Sequence, residues 1–178
     1  MDKTAEFMGI EIKEDKVETI EQIKIDEGGY QAEVYLCTAG KLTWLYGRNL
    51  TDRPIKKNEW ECLQDLLEAG YSQKDWADML FDDEIDYIIC RISIRFKINS
   101  MPEEVKNIIV NMAYNMGWSN FNQRKWPKFF KALKHKDWKQ AAIEGRDSLW
   151  FTQVGQRSVR LMKSLENVKY YIPIGPPA

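Results

Sequence analysis

The chain has 178 residues, enough for one domain or two small lobes around a real core. Apolar residues make up 44% and charged residues 30%, which excludes a disordered, collagenous or membrane-embedded chain. With 26 basic against 27 acidic residues the net charge is −1, so no global electrostatic case exists for nucleic acid or membrane binding. Local basic patches remain at Arg124-Lys125 and Lys134-His135-Lys136. Apolar runs span only a few residues, so no transmembrane helix and no membrane insertion are expected. The start, Met-Asp-Lys-Thr-Ala-Glu, lacks a basic region followed by an apolar core, so no signal peptide is read there. Cys37, Cys62 and Cys90 are odd in number and widely spaced, which predicts free thiols in a reducing cytoplasm. His135 is the only histidine, and no Cys/His cluster has metal spacing. No metal, no cofactor and no histidine-based triad are expected.

Residues 1–16 are rich in charge without a period and are expected to form a loose arm. Val17, Ile20 and Ile23 then put an apolar stripe on one helical face. Glu27 lies four residues beyond Ile23, so it continues that face and is expected to be partly covered. Gly28-Gly29 ends the helix. Over 30–46 the period shifts towards two: Leu42, Trp44 and Tyr46 alternate with Thr43 and Leu45, and Ala39-Gly40 marks a hairpin turn. Asp52-Arg53-Pro54 is expected to open a helix carrying Leu63, Leu66 and Leu67, which stops at Gly70. Ser72 with Asp75 resembles a capping box. It starts a long helical pattern through Trp76, Met79, Leu80, Ile85, Ile88, Ile89 and Ile92, ending near Asn99.

Ser100-Met-Pro-Glu103 is a second start signal, and Val105, Ile108, Ile109, Met112 and Met116 form the stripe that follows, up to Gly117. Shorter helices fit 129–133, 137–144 and 156–165. The proline-rich tail from Ile172 reads as extended. The sum is an α+β, mostly helical fold. It comprises the arm over 1–16, an α+β lobe with a small antiparallel sheet over 17–71, a long connecting helix over 72–99, and a helical lobe with the tail over 100–178. A cleft where two lobes meet is the expected ligand site.

The chemistry concentrates in one stretch. Glu27-Gly28 lies a short way upstream of Tyr35-Leu36-Cys37-Thr38-Ala39-Gly40-Lys41-Leu42-Thr43, and the hairpin carries Cys37 and Thr43 back towards Glu27. A carboxylic acid facing a small surface that positions a nucleophile is what glycosidic-bond hydrolysis needs. The same residues resemble the active-site segment of bacteriophage-type lysozymes (glycoside hydrolase family 24), with their Glu-Gly and Tyr-x-Asp/Cys-x-x-Gly-x-x-Thr pattern. Two further segments extend the resemblance over about 17–165. Val110-Asn-Met-Ala-Tyr-Asn-Met-Gly117 is similar to the family's cleft-lining helix, and Trp150-Phe-Thr-Gln153-Val-Gly-Gln-Arg157 to its Trp-Tyr-x-Gln-x-x-x-Arg segment.

The resemblance implies a lysozyme-like two-lobed fold with a long inter-lobe helix. It implies a peptidoglycan muramidase that cuts the β-1,4 bond between N-acetylmuramic acid and N-acetylglucosamine by an inverting, metal-free route. Glu27 is then the general acid, Thr43 holds the attacking water, and Cys37 lies beside it. Tyr114 and Asn115 line the saccharide cleft, Arg157 pairs with Glu27 to fix its orientation, and Arg48 supports the site. The implied partners are peptidoglycan glycan strands, reached from a host cytoplasm with the help of a holin by analogy. The chain is expected to be a monomer.

Departures from the pattern are specific. The connection after Glu27 is one residue longer, and Cys37 stands where many members carry Asp. Trp44-Leu45 replaces an Ile-Gly-type pair, Arg48 replaces a common His, and Leu149 replaces a frequent cleft Arg. They motivate a second reading, a lysozyme fold kept as a binding or structural module, and a third, a lytic transglycosylase. Against each functional role stands an ordinary one. Cys37 is a small buried hydrophobe, Thr43 a strand former, and Arg157 a surface arginine. Trp118 and Trp126 read as core rather than as sugar-stacking platforms.

Overall fold

The computed structural model describes residues 14–96, 98–117 and 119–169, side chains 14–17, 95 and 99 excepted. The expected arm over 1–13, Trp118 and the proline-rich tail lie outside the described residues. Eight α-helices and one three-stranded antiparallel sheet stand among the described residues, a mostly helical α+β fold. The chain divides into two compact units between Tyr87 and Ile88.

In the first unit, helix α1 (Glu14–Asp26) begins three residues inside the segment assigned to the arm. Ile20 and Ile23 face the core. Strands β1 (Gln31–Leu36), β2 (Leu42–Leu45) and β3 (Arg48–Asn49) follow in sheet order β1-β2-β3. Tyr35 pairs with Thr43 and Leu36 with Leu42, while Thr43 also faces Asn49 and Trp44 faces Arg48. The expected alternation fails: Thr43, Trp44, Leu45 and Tyr46 are all buried, and Leu42 is exposed. The reason is a bend, because Leu45 leaves the extended region for φ 55° and the chain turns inward.

Helix α2 (Lys57–Glu68) starts after Lys56, later than Asp52-Arg53-Pro54. Asp52 is engaged in a turn instead. Its N–H donates to Asn49 Oδ1 (3.1 Å), and its carboxylate accepts from Asn49 Nδ2 (2.9 Å) and pairs with Lys41. The N-terminal donor is met by Glu59, whose Oε2 accepts the Lys56 N–H at 2.7 Å. Helix α3 (Gln73–Arg95) opens on a reciprocal cap: Ser72 N–H donates to Asp75 Oδ2 (2.8 Å), and Asp75 N–H to Ser72 Oγ (3.2 Å). It buries Trp76, Phe81, Ile85, Ile88 and Ile92; Met79 is exposed. Trp44, Trp60 and Trp76 form a cluster with ring centroids 5.8–6.4 Å apart. A fully buried ring such as Trp76 contributes on the order of 3–5 kcal/mol of apolar burial.

In the second unit a 3-10 turn (Ile98–Ser100) precedes α4 (Glu103–Met116), which buries Val105, Ile108, Ile109 and Met112 and leaves Met116 half-buried. Helix α5 (Pro127–Lys134) places Pro127 in its first turn, where a missing N–H costs nothing. Helix α6 (Trp138–Arg146) is capped by Asp137, which accepts the Gln140 N–H at 2.9 Å. A short α7 (Leu149–Val154), capped by Ser148, was not legible because six residues hold under two turns of periodicity. Helix α8 (Gln156–Asn167) packs closely on α6. A Cβ at Gly145 would fall 2.1 Å from Met162 Sδ, so only glycine allows that approach. Phe121, Phe129 and Phe130 complete an aromatic core.

Candidate active site

Glu27 is held by the way α1 ends. The Gly29 N–H donates to Lys24 O (2.9 Å) and the Gly28 N–H to Ile25 O (3.0 Å), the paired bonds of a Schellman closure. Glu27 is the capping residue of that closure, half-buried, with its own N–H on Ile23 O at 2.9 Å. Gly28 and Gly29 stand at φ 88° and 77°, so the longer connection needs two glycines in succession. Opposite, Gly47 turns the chain at φ 76° with its α-carbon against the acid. A Cβ there would lie 3.0 Å from Glu27 Oε2 and 3.5 Å from Glu27 Cβ. Gly47 thus forms one wall of the carboxyl's surroundings.

The hairpin supplies the facing groups. The Cys37 N–H donates to Lys41 O (3.0 Å) and the Gly40 N–H to Cys37 O (2.8 Å), so the turn is tight. Cys37 Sγ, half-buried, accepts from the Lys41 N–H first, then from the Thr43 hydroxyl and the Ala39 N–H. These donors favour the anion and hold the thiol below its ordinary value. Thr43 is buried, with Oγ1 3.0 Å from Lys41 O. Its single hydroxyl proton serves either that carbonyl or Cys37, and in both cases the oxygen lone pairs stay available to a third group. Tyr35, directly across from Thr43, has its phenol raised by burial first and then by the negative charges of Cys37 and Glu27. Glu27, Tyr35, Cys37 and Thr43 therefore share one neighbourhood.

Arg48 is bound to α2 and to the loop before it. It makes a bidentate pair with Glu59, Nη1 to Oε1 at 3.1 Å and Nη2 to Oε2 at 2.8 Å, and also donates to the Arg53 and Pro54 carbonyls. Burial works to raise the Glu59 carboxyl, but Arg48 and the Lys56 N–H outweigh it and hold the group below its ordinary value. Arg48 thereby pins β3 to α2.

A second ion cluster begins at Lys24, three residues before Glu27. Lys24, buried at 9% exposure, places Nζ 2.7 Å from Asp78 Oδ1 and over the rings of Tyr46 (5.1 Å) and Phe81 (5.5 Å). The Tyr46 hydroxyl donates to the same Asp78 Oδ1 at 2.6 Å, and Lys74 Nζ to Oδ2 at 2.7 Å. Burial works to raise Asp78, yet Lys24, Lys74 and Tyr46 together lower it to about 2.

In the second unit, Arg157 is buried and donates from Nε to Asn111 Oδ1 at 2.8 Å. Tyr114 is half-buried on α4. Asn115 Oδ1 accepts from Trp150 Nε1 at 2.8 Å, and both residues line a cavity of about 790 Å³ with Trp126, Leu149 and Gln153. Trp126 is only half-buried: its ring meets Phe121, Phe129 and Trp150 on one side and the cavity on the other, so the core reading holds for half of it. Among the described residues no group of three or more His, Cys, Asp or Glu is placed to hold a metal ion, and no helix is long and apolar enough to cross a membrane.

The model of the phage lysozyme family matches residues 26–166, most of the chain, and spans Glu27, Cys37, Thr43, Arg48, Tyr114, Asn115 and Arg157. The chain belongs to the phage lysozyme family. A relative from Dictyostelium discoideum named "Probable T4-type lysozyme 2" is 28% identical over 161 residues, covering 82% of this chain and 92% of that protein. Membership makes the chain a lysozyme-type hydrolase with a lysozyme-like fold, and it sets peptidoglycan as the substrate class.

The lysozyme pattern also acquires a physical reading at two positions. Position 45, where an Ile-Gly-type pair is usual, is left-handed in this chain, and leucine occupies it at φ 55° while only 3% exposed. Position 47 is left-handed at φ 76°, and a β-carbon there would press on the acid at 3.0 Å. Sequence reasoning missed Gly47, Tyr35 and Asp78 as parts of the surroundings of Glu27. For Tyr35 a signal existed: it shares the face of Cys37 by the period of two. For Asp78 there was none, since Lys24 and Tyr46, which link it to the flanks of Glu27, lie far away in sequence.

Proposed function

We propose that this lysozyme is a muramidase of endolysin type, cutting the β-1,4 bond between N-acetylmuramic acid and N-acetylglucosamine. The observation that supports this most is an acid on a helix end and a thiol hydrogen-bonded to the Thr43 hydroxyl, whose charges both act on Tyr35 of β1. Glu27 protonates the leaving glycosidic oxygen. A water donates one O–H to Thr43 Oγ1 and turns its lone pair to the anomeric carbon. As the C–O bond forms, the water's other proton passes to the Cys37 thiolate, whose charge also favours the oxocarbenium-like transition state. The lowered thiol suits Cys37 to take the place that Asp holds in many members. Tyr114 and Asn115 contact the substrate from α4.

The test is turbidity loss of purified cell walls, with circular dichroism to confirm folding. Glu27→Gln should lower the rate by about 10²–10⁴-fold. Cys37→Ser should lower it less, and Cys37→Asp should preserve or raise it. Full activity in Glu27→Gln would defeat the acid assignment. Inactivity of the wild type and of every variant would favour a binding module built on a lysozyme fold. An inactive wild type rescued by Cys37→Asp would mark a weakened enzyme.

A further inference from the structure

We infer that Asp78 is a positioning residue for Glu27: through Oδ1 it clamps the last turn of α1, by Lys24, to the turn before Gly47, by Tyr46, and so fixes the acid's side chain between them. The inference rests on Glu27 being the general acid. Its geometry stands on three contacts. Lys24 is three residues before Glu27, and its carbonyl takes the Gly29 N–H that closes the helix. Tyr46 is the residue before Gly47, whose α-carbon stands against Glu27. Both side chains end on one oxygen, at 2.7 Å and 2.6 Å.

The clamp acts on position rather than on charge transfer. Asp78 sits on α3, and its Oδ1 meets the side chains of Lys24 and Tyr46, whose backbone segments flank Glu27. Tyr46-Gly47 is the loop between β2 and β3, and the Tyr46 hydroxyl bond anchors it to α3 in addition to the ladder that closes it. The Lys24 ammonium is held in turn by Asp78, Glu21 and two aromatic faces, which leaves it one arrangement. Burial works against its charge, yet the Asp78 and Glu21 bonds prevail and the lysine stays protonated. Lys74 binds the other Asp78 oxygen and also lies by the Tyr46 hydroxyl, and its removal leaves both bonds to Oδ1 in place. The two oxygens therefore separate by role: Oδ1 joins the flanks of Glu27, and Oδ2 meets a surface lysine.

The experiment compares wild type, Tyr46→Phe, Asp78→Asn and Lys74→Met at a temperature where all four are folded by circular dichroism. Three-bond NMR couplings about χ1 of Glu27 report its rotamer, and wall lysis gives kcat and KM. Tyr46→Phe changes no charge and removes one bond to Oδ1. The expected result is one Glu27 rotamer in wild type and Lys74→Met, and rotamer averaging in Tyr46→Phe and Asp78→Asn. In those two variants kcat should fall about tenfold at unchanged KM, because sub-ångström misplacement of a reacting group carries costs of that order. A merely structural role lowers the melting temperature and leaves the rotamer and kcat as they are, which would overturn the inference. Averaging without any loss of kcat in an active wild type would overturn it as well. If the wild type does not lyse walls, the muramidase reading fails on its own. The couplings still decide whether Asp78 positions Glu27.

Discussion

Replacing Gly47 with alanine tests how closely the acid is confined. At φ 76° an alanine pays the left-handed cost of about 1–2 kcal/mol, and its stiffer unfolded chain returns about 0.4–1 kcal/mol. The net loss of stability is then about 1 kcal/mol. The new methyl also meets Glu27 Oε2 at 3.0 Å, inside ordinary contact distance, and the carboxyl is the side that yields. A shift of a few tenths of an ångström in a proton donor should lower lysis roughly tenfold, given that about 1 Å costs about 10²-fold. Gly70→Ala is the control. It carries the same kind of strain, at φ 89°, with nothing within 4 Å of the added carbon. Both variants should lose similar stability in thermal unfolding, and only Gly47→Ala should lose activity in the turbidity assay. Equal activity in the two would refute the claim that Gly47 shapes the site.

Three further outcomes follow from the same structure. Leu45→Gly relieves a left-handed leucine, about 1 kcal/mol, but removes a buried side chain worth about 3 kcal/mol, so thermal unfolding should show a net loss near 2 kcal/mol; a gain in stability would show that strain outweighs packing there. Asp78 has its folded pKa lowered from 3.8 to about 2, so its stabilisation is present above about pH 4 and disappears as pH falls towards 2, a loss of about 2 kcal/mol. Denaturant midpoints between pH 5 and 2 should fall less steeply in Asp78→Asn than in wild type, and parallel curves would contradict this. Because its donors lower the Cys37 thiol, iodoacetamide at neutral pH should label Cys37 before Cys62 and Cys90, read by peptide mass spectrometry, and should stop wall lysis. Preferential labelling of either other thiol would count against a stabilised thiolate.

The sequence by itself determined what depends on short spacings. Glu27 continues the face of Ile20 and Ile23 because residues three or four apart share a helical side, and two glycines close that helix within six residues. The hairpin that brings Cys37 to Thr43 is equally local, made by bonds between residues a few positions apart. The cap at Ser72 was legible for the same reason. Where side-chain contacts outside the helical period compete, the sequence reading went astray. The helix expected from Asp52 was delayed to Lys57 because Asp52 found Asn49 and Lys41. The alternation over 42–46 was broken by a left-handed leucine that the buried core holds in place.

Only the tertiary structure decided that Arg48 faces Glu59 and that Asp78 joins Lys24 to Tyr46, 32 residues before it. It also decided that Gly47 lies against the acid. Spacing along the chain sets which side chains share a face of one element. Which faces then meet is set by how the elements pack, and the pairing of charges across them appears in no local pattern.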